Sequence, residues 1–205
     1  MKSKCLIISG GDLTPLPAPD ADTFVIACDR GYAYAQRFGI KPDLIVSDFD
    51  SYTGSVDPAV PLRSLPTEKD DTDTMSAIRA AIDQGCTEGL LCCALGGRLD
   101  HTLANLQGLL FAAEHGLDLR IQSPDSEVLV LRNGTLRLGR RDGFSLSVFA
   151  LSERCRGVSL HGVKYELDGA SLSNAFPLGV SNEWREDEAQ LSVEDGALLI
   201  VMSRL

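Results

Sequence analysis

Asp48 and Asp50 stand one residue apart, directly after Leu44-Ile45-Val46 and Ser47. The aliphatic run, with two β-branched residues, reads as a buried strand. Side chains two apart in an extended chain point the same way, so both carboxylates would project from one strand end. Like charges held together need a cation between them or a shared proton. One reading is a divalent metal site and the other is an Asp-rich turn. A second acidic cluster, Lys69-Asp70-Asp71-Thr72-Asp73, opens a predicted helix. Acidic residues in a first turn ordinarily serve as caps and dipole partners. Asp70 and Asp73, however, are three apart and face the same side. Oxygen-only ligation favours Mg²⁺ over zinc, and Mg²⁺ typically joins one or two carboxylates to substrate phosphates.

The third element is Gly96-Gly97-Arg98-Leu99-Asp100-His101, between a buried strand and a helix. Glycines allow close backbone approach, a helix N-terminus offers N–H groups to an anion, and Arg98 adds a fork-shaped donor. A tight strand-to-helix turn accounts for the two glycines alone. Neither a Walker loop nor a Gly-x-Gly-x-x-Gly fingerprint occurs, so any nucleotide site must be built another way. His101 titrates near neutrality and is a candidate base, although a histidine at a helix start is ordinarily structural. His115 and His161 are assigned no function. Gly179-Val180-Ser181-Asn182-Glu183-Trp184 carries adaptable hydrogen-bonding groups and the only tryptophan. A solvent-exposed turn is its plainer reading.

The elements that must position these groups divide the chain. Cys5–Ser9, Phe24–Cys28, the opening run, Leu62–Leu65, Leu90–Leu95 and Leu119–Gln122 read as strands. Tyr32–Phe38 reads as a helix stopped by Gly39, and Thr72–Gln84 as another with Met75, Ile78 and Ile82 at helical spacing. Leu99, Leu103, Leu106, Leu110 and Ala113 form an apolar stripe on a third helix. Strands alternating with helices predict a mainly parallel sheet flanked by helices over residues 1–123. Asp12, Asp29, the Asp48/Asp50 pair and the Gly96–Asp100 turn then fall on one edge, where open α/β sheets bind ligands. From Ser123 onward only strand-like runs follow: Val128–Leu131, Thr135–Leu138, Phe144–Ala150, Val163–Leu167, Ala189–Val193 and Ala197–Met202. Asn133-Gly134 gives a hairpin signal between the first two. An all-β sandwich is expected over residues 124–205.

Composition sets limits. The chain has 205 residues, 44% hydrophobic, with a formal net charge of −10. No basic face suggests nucleic-acid binding, and a bound polyphosphate would need local Arg or Lys, helix N-termini or a metal. The six cysteines lack Cys-x-x-Cys spacing and mostly sit in apolar runs, as reduced core residues would. The N-terminal apolar run is too short for a signal peptide and no run suits a bilayer, so no membrane role and a cytoplasmic location are expected.

Asp29-Arg30-Gly31, Ser47-Asp48-Phe49-Asp50-Ser51, Lys69-Asp70-Asp71-Thr72-Asp73 and Gly96-Gly97-Arg98-Leu99-Asp100-His101 with Leu103-Ala104-Asn105 occur in that order. Gly162-Val163-Lys164-Tyr165 and Ser181-Asn182-Glu183 follow. Together they resemble the thiamine pyrophosphokinase family over nearly the whole chain. The resemblance implies an α/β catalytic domain, a β-sandwich, and a homodimer with active sites between subunits. It implies transfer of a pyrophosphoryl group from ATP to the hydroxyl of thiamine, giving thiamine diphosphate and AMP. Asp48, Asp50 and Asp73 would bind Mg²⁺, with Asp100 and Arg98 close to the chemistry. Asp29, Arg30, Gly31, Asp70, Gly96, Gly97, Arg98 and Asn105 would form the nucleotide side, and Ser181 and Asn182 the thiamine side. Ser47 departs from the family's usual glycine. Rival readings are another Mg²⁺-dependent phosphotransferase or phosphatase, whose motif expects Thr or Val where Tyr52 stands, and a non-catalytic thiamine- or nucleotide-binding module.

Overall fold

The structure, a computed structural model, describes residues 2–47, 57–64 and 71–205. It divides into two compact units, 1–124 and 125–205.

In the first unit the strands are β1 (Lys4–Ile8), β2 (Thr23–Cys28), β3 (Leu44–Ser47), β4 (Leu62–Ser64), β5 (Glu88–Cys92) and β6 (Asp118–Gln122). They lie side by side in the order β6-β5-β1-β2-β3-β4, and every adjacent pair is parallel. The central strands are apolar on both faces, as a parallel sheet with two covered sides requires. On one face Leu6, Ile8 and Val25 pack with Ala35 of α1 (Arg30–Arg37). The alternate residues Ile7 and Ile26 are fully buried as well. Helix α2 (Asp73–Asp83) packs on β1, β2 and β3, and α3 (Leu99–Glu114) on β6 and α2.

The expected helix over Thr72–Gln84 is α2, with Thr72 as N-cap and Gln84 as C-cap. Thr72 Oγ1 accepts the Met75 N–H at 3.1 Å, which satisfies one of the first-turn donors. For α3 the buried face differs from the expected stripe. Asn105, Gly108, Leu109 and Ala112 are buried, whereas Leu99 is 73% and Leu103 54% exposed. The cause is close packing on small residues: a Cβ at Gly108 would lie 2.9 Å from Ile78 Cδ1 of α2. Hydrophobic periodicity does not register a face built from Asn, Gly and Ala.

The second unit is antiparallel throughout its recorded pairings. Its strands are β7 (Ser126–Gly139), β8 (Phe144–Ala150), β9 (Arg154–His161), β10 (Leu167–Ser173), β11 (Gly179–Asn182) and β12 (Glu188–Arg204). Strand β12 pairs with β7 along most of its length. Its other edge pairs with β9 over Gln190–Asp195 and with β8 over Leu198–Arg204. Leu129, Leu146, Val148, Val158, Leu160, Leu191 and Ile200 meet in its core.

Three expectations change here. Asn133-Gly134 is not a hairpin but a kink within the continuous strand β7: Asn133 has φ 43°, and its Oδ1 accepts the Gly196 N–H at 2.8 Å where β12 slips register. Positive φ serves bulges as well as hairpin turns, so the dipeptide alone cannot separate them. Val163–Leu167 is not a strand; Val163 makes an isolated bridge to Trp184. Strand β9 precedes it, where two arginines and Gly157 obscure the buried alternation of Cys155, Val158 and Leu160. Gly179–Asn182, read as a turn, is a strand paired with β8. All six cysteines are buried and unbridged, and burial pushes the Cys92 thiol up to about 12. Among the described residues no helix is long and apolar enough to cross a membrane.

Because the Thr72 cap is made by one hydroxyl, Thr72→Ala is expected to lower unfolding free energy by about 1 kcal/mol. Urea denaturation with an unchanged slope would report it.

Candidate active site

Parallel pairing brings the carboxyl ends of β1, β2 and β5 to one edge, and a cavity of about 280 Å³ opens there. Ser9 to Asp12 line it from beyond β1, Asp29 and Arg30 from beyond β2, and Ala94 with Gly96 to Arg98 from beyond β5. Thr72, Asp73 and Thr74 contribute the start of α2. The N-cap residues of α1, α2 and α3, namely Asp29, Thr72 and Arg98, lie on its wall. Only Thr72 turns its side chain back onto its own helix. Three positive dipole ends therefore converge on one cavity, an arrangement that favours an anion.

Hydrogen bonds fix these loops. The Gly11 N–H donates to Cys93 O at 2.7 Å and the Asp12 N–H to Leu95 O at 3.0 Å, so the loops after β1 and β5 form one rim. A Cβ at Gly11 would lie 2.6 Å from Cys93 O, which restricts that position to glycine. The buried amide of Asn105 donates to Ala94 O at 2.8 Å and fixes the start of the Gly96-Gly97 turn. Ser9 and Thr74 share a buried hydroxyl–hydroxyl bond of 2.8 Å, joining β1 to α2. Gly31, the second residue of α1, lies against Ile8 O, where any Cβ would clash.

Of the residues singled out from the sequence, Asp29, Arg30, Asp73, Gly96, Gly97, Arg98, His101 and Asn105 line this cavity. Gly31 does not line it and packs against Ile8 and Ser9 at the end of β1. Asp100 sits beside it in a bidentate pair with Arg98: Nε donates to Oδ1 at 3.1 Å and Nη2 to Oδ2 at 2.6 Å. That fork, with help from the His101 N–H, holds the Asp100 carboxyl below its ordinary range. Asp48, Asp50 and Asp70 lie outside the described residues. Among the described residues no group of three or more His, Cys, Asp or Glu is gathered for a metal ion. The carboxylates on the wall, Asp12, Asp29 and Asp73, are hard oxygen donors suited to Mg²⁺ rather than a thiophilic metal.

Ser9, Asp12, Cys28 and Thr74 were not selected from the sequence as site residues. Asp12 carried a signal, falling just after a strand on the ligand edge. Ser9 and Thr74 carried none, because their contact joins positions 65 apart.

Ser181 and Asn182 belong to the second unit. Ser181 is exposed with φ 57°, and its N–H donates to Ser147 Oγ at 3.0 Å. Asn182 is 3% exposed. Its Oδ1 accepts the N–H groups of Tyr165 and Glu183, and its Nδ2 donates to Tyr165 O. That amide clamps the Gly162–Tyr165 loop onto β11. Trp184 is a core residue, 8% exposed, donating Nε1–H to Leu138 O at 3.3 Å.

Residues 19–121 match the family model described as thiamin pyrophosphokinase, catalytic domain, and residues 135–198 the model described as thiamin pyrophosphokinase, vitamin B1 binding domain. The chain belongs to the thiamin pyrophosphokinase family. It is 26% identical to the thiamine pyrophosphokinase of Bacillus subtilis over 207 residues, covering 96% of this chain and 97% of that one. A crystal structure of thiamine pyrophosphokinase from that organism superposes with a TM-score of 0.90 at 25% identity, over 98% of this chain and 99% of the other. The thiamin pyrophosphokinase of Geobacillus thermodenitrificans gives a TM-score of 0.86 at 27% identity, over 98% of each chain. Both family models therefore fall within this one chain, one in each unit.

Removing the fork is expected to return Asp100 to the ordinary carboxylate range, so its titration by carbon NMR should move to higher pH in Arg98→Ala. A depressed carboxyl pKa contributes stability above the unfolded-state value, and the contribution is lost as pH falls through the folded one. An unmoved titration would mean that the fork does not form in solution.

Proposed function

We propose that this chain transfers the terminal pyrophosphoryl group of ATP to the hydroxyl of thiamine, giving thiamine diphosphate and AMP. The observation that carries the reading is the ordered match of both family models, one in each unit. The cavity supports it chemically, since three helix N-termini and two arginines face a space lined by carboxylates.

In this reading the thiamine hydroxyl attacks the β-phosphorus, and the bond from that phosphorus to the α–β bridging oxygen breaks. The oxygen leaves with AMP, and the hydroxyl proton passes to a carboxylate, Asp73 or Asp100, or to water. Such transfers depend chiefly on alignment and charge neutralisation. The N–H groups that begin α1 and α3, apart from that of His101, which Asp100 takes, orient the phosphates. Arg98, exchanging Asp100 for a phosphate oxygen, stabilises charge on the departing AMP. Asp48, Asp50 and Asp73 would hold Mg²⁺, which when bound neutralises phosphate charge. The acidic wall suits the cationic thiazolium ring.

The second unit is read as a β-sandwich that takes thiamine. Ser181 supplies a hydroxyl there and Asn182 shapes the loop. A homodimer with the site between subunits belongs to the same proposal, and the exposed Leu99 and Leu103 provide apolar surface for a second copy. ATP and thiamine are the partners, with no nucleic acid or membrane, and the setting is the cytoplasm.

Incubation with ATP, Mg²⁺ and thiamine is expected to yield AMP and thiamine diphosphate in equal amounts, resolved by chromatography. ADP with thiamine monophosphate would make the protein an ordinary kinase, and no turnover would favour a binding module. Asp73→Asn should lower Mg²⁺-dependent kcat on the order of 100-fold, the scale on which one charge-stabilising group acts. Its circular dichroism should be unchanged; near-normal turnover would remove Asp73 from the metal set.

A further inference from the structure

Ser47 ends β3 with its side chain 1% exposed. Its hydroxyl donates to Asp29 Oδ1 at 2.6 Å, joining two strand ends 18 residues apart. Asp29 occupies the N-cap of α1 and lines the cavity. With the extended backbone usual at an N-cap, an aspartate turns its carboxylate onto the N–H groups of its own first turn. Asp29 makes no such bond. Its backbone, at φ 46° and ψ −116°, lies where a non-glycine residue persists only if its surroundings over-determine it. The surroundings here include β3: the Asp29 N–H donates to Val46 O at 3.1 Å while the carboxylate takes the Ser47 hydroxyl. The same strand thus grips the residue by main chain and by side chain.

We propose that Ser47 is a positioning residue whose buried hydroxyl keeps the Asp29 carboxylate off the α1 cap and on the cavity wall, where it accepts hydrogen bonds from a bound nucleoside. A carboxylate repels phosphate, so the ligand groups that suit it are hydroxyl or amino donors. A residue without a side-chain hydroxyl at position 47 could not make this bond. The inference rests on reading the cavity as a nucleotide site, and it places the effect of Ser47 in nucleotide binding rather than in the chemical step.

The test combines binding, turnover and structure. In Ser47→Ala, the Kd for ATP with Mg²⁺, measured by calorimetry without thiamine, is expected to rise about 5- to 10-fold, the scale of one lost hydrogen bond to a charged group. The kcat at saturating substrate should stay within about twofold of the parent. In an Asp29→Ala background the same substitution should change Kd by less than about twofold, because no carboxylate remains to position. An unchanged Kd in the single variant, or an equal loss in both backgrounds, would overturn the proposal. A crystal structure of Ser47→Ala decides the point without any activity: the Asp29 carboxylate should swing onto the first turn of α1, and an unmoved carboxylate would sink the idea. If the parent protein made no thiamine diphosphate, the assigned reaction would fail while this structural result still judged Ser47.

Discussion

Parallel pairing is the constraint on which the first unit depends. When every strand runs the same way, every following segment begins at one edge, and its helix must start there with N–H groups unsatisfied. Antiparallel strands would have scattered those starts to both ends. The three helix N-termini around the cavity therefore follow from strand direction. What remains specific is how the ends are trimmed. Thr72 caps its own helix, while the Asp29 and Arg98 side chains do not cap theirs, although Asp100 takes the His101 N–H of α3. Those two helix starts flank the glycine turn and the two arginines, so the donors left over are concentrated where an anion would lie.

Holding that edge together requires bonds between segments distant in sequence. The rim from Gly11 to Leu95, the Ser9–Thr74 hydroxyl pair and the Asn105–Ala94 bond each join a strand end to an element more than ten residues away. The Ser9–Thr74 and Asn105–Ala94 bonds are buried, where an unmet polar group costs more than the bond returns. Such ties favour one arrangement of the loops over many nearly equal ones.

The strands and helices of the first unit were legible because apolar runs, caps and terminal glycines report local physics. The ligand edge followed from them and took in Asp29 and the Gly96-to-Arg98 turn. Asp73 was singled out in the acidic cluster that opens α2, and the roles of all three came from the family resemblance. The buried face of α3 was not legible, since Gly108 and Ala112 gain their burial from close approach rather than from hydrophobic bulk. In the second unit the alternating strands were partly visible, but Asn133-Gly134 has the same local chemistry in a kink as in a hairpin. Long-range partners, such as Gly196 for Asn133, decide between them. Asn182, placed on the thiamine side by the family resemblance, also holds the Tyr165 loop with its amide. Its burial, 3% exposed, is not something an isolated Asn reports in sequence.

The fork between Arg98 and Asp100 has a bearing on how readily an anion leaves. Asp100 acts as a built-in counter-anion, so the guanidinium is never stripped of a partner when the cavity empties. An incoming phosphate exchanges one carboxylate contact for its own and gains only the difference between them. The departing phosphate, in turn, gives up only that difference. An arginine paired in this way holds its anion less tightly than a solitary one and lets it go more easily. If the cavity filled and emptied in each cycle, as the proposed reaction requires, tight capture would be a handicap that this internal competitor would temper.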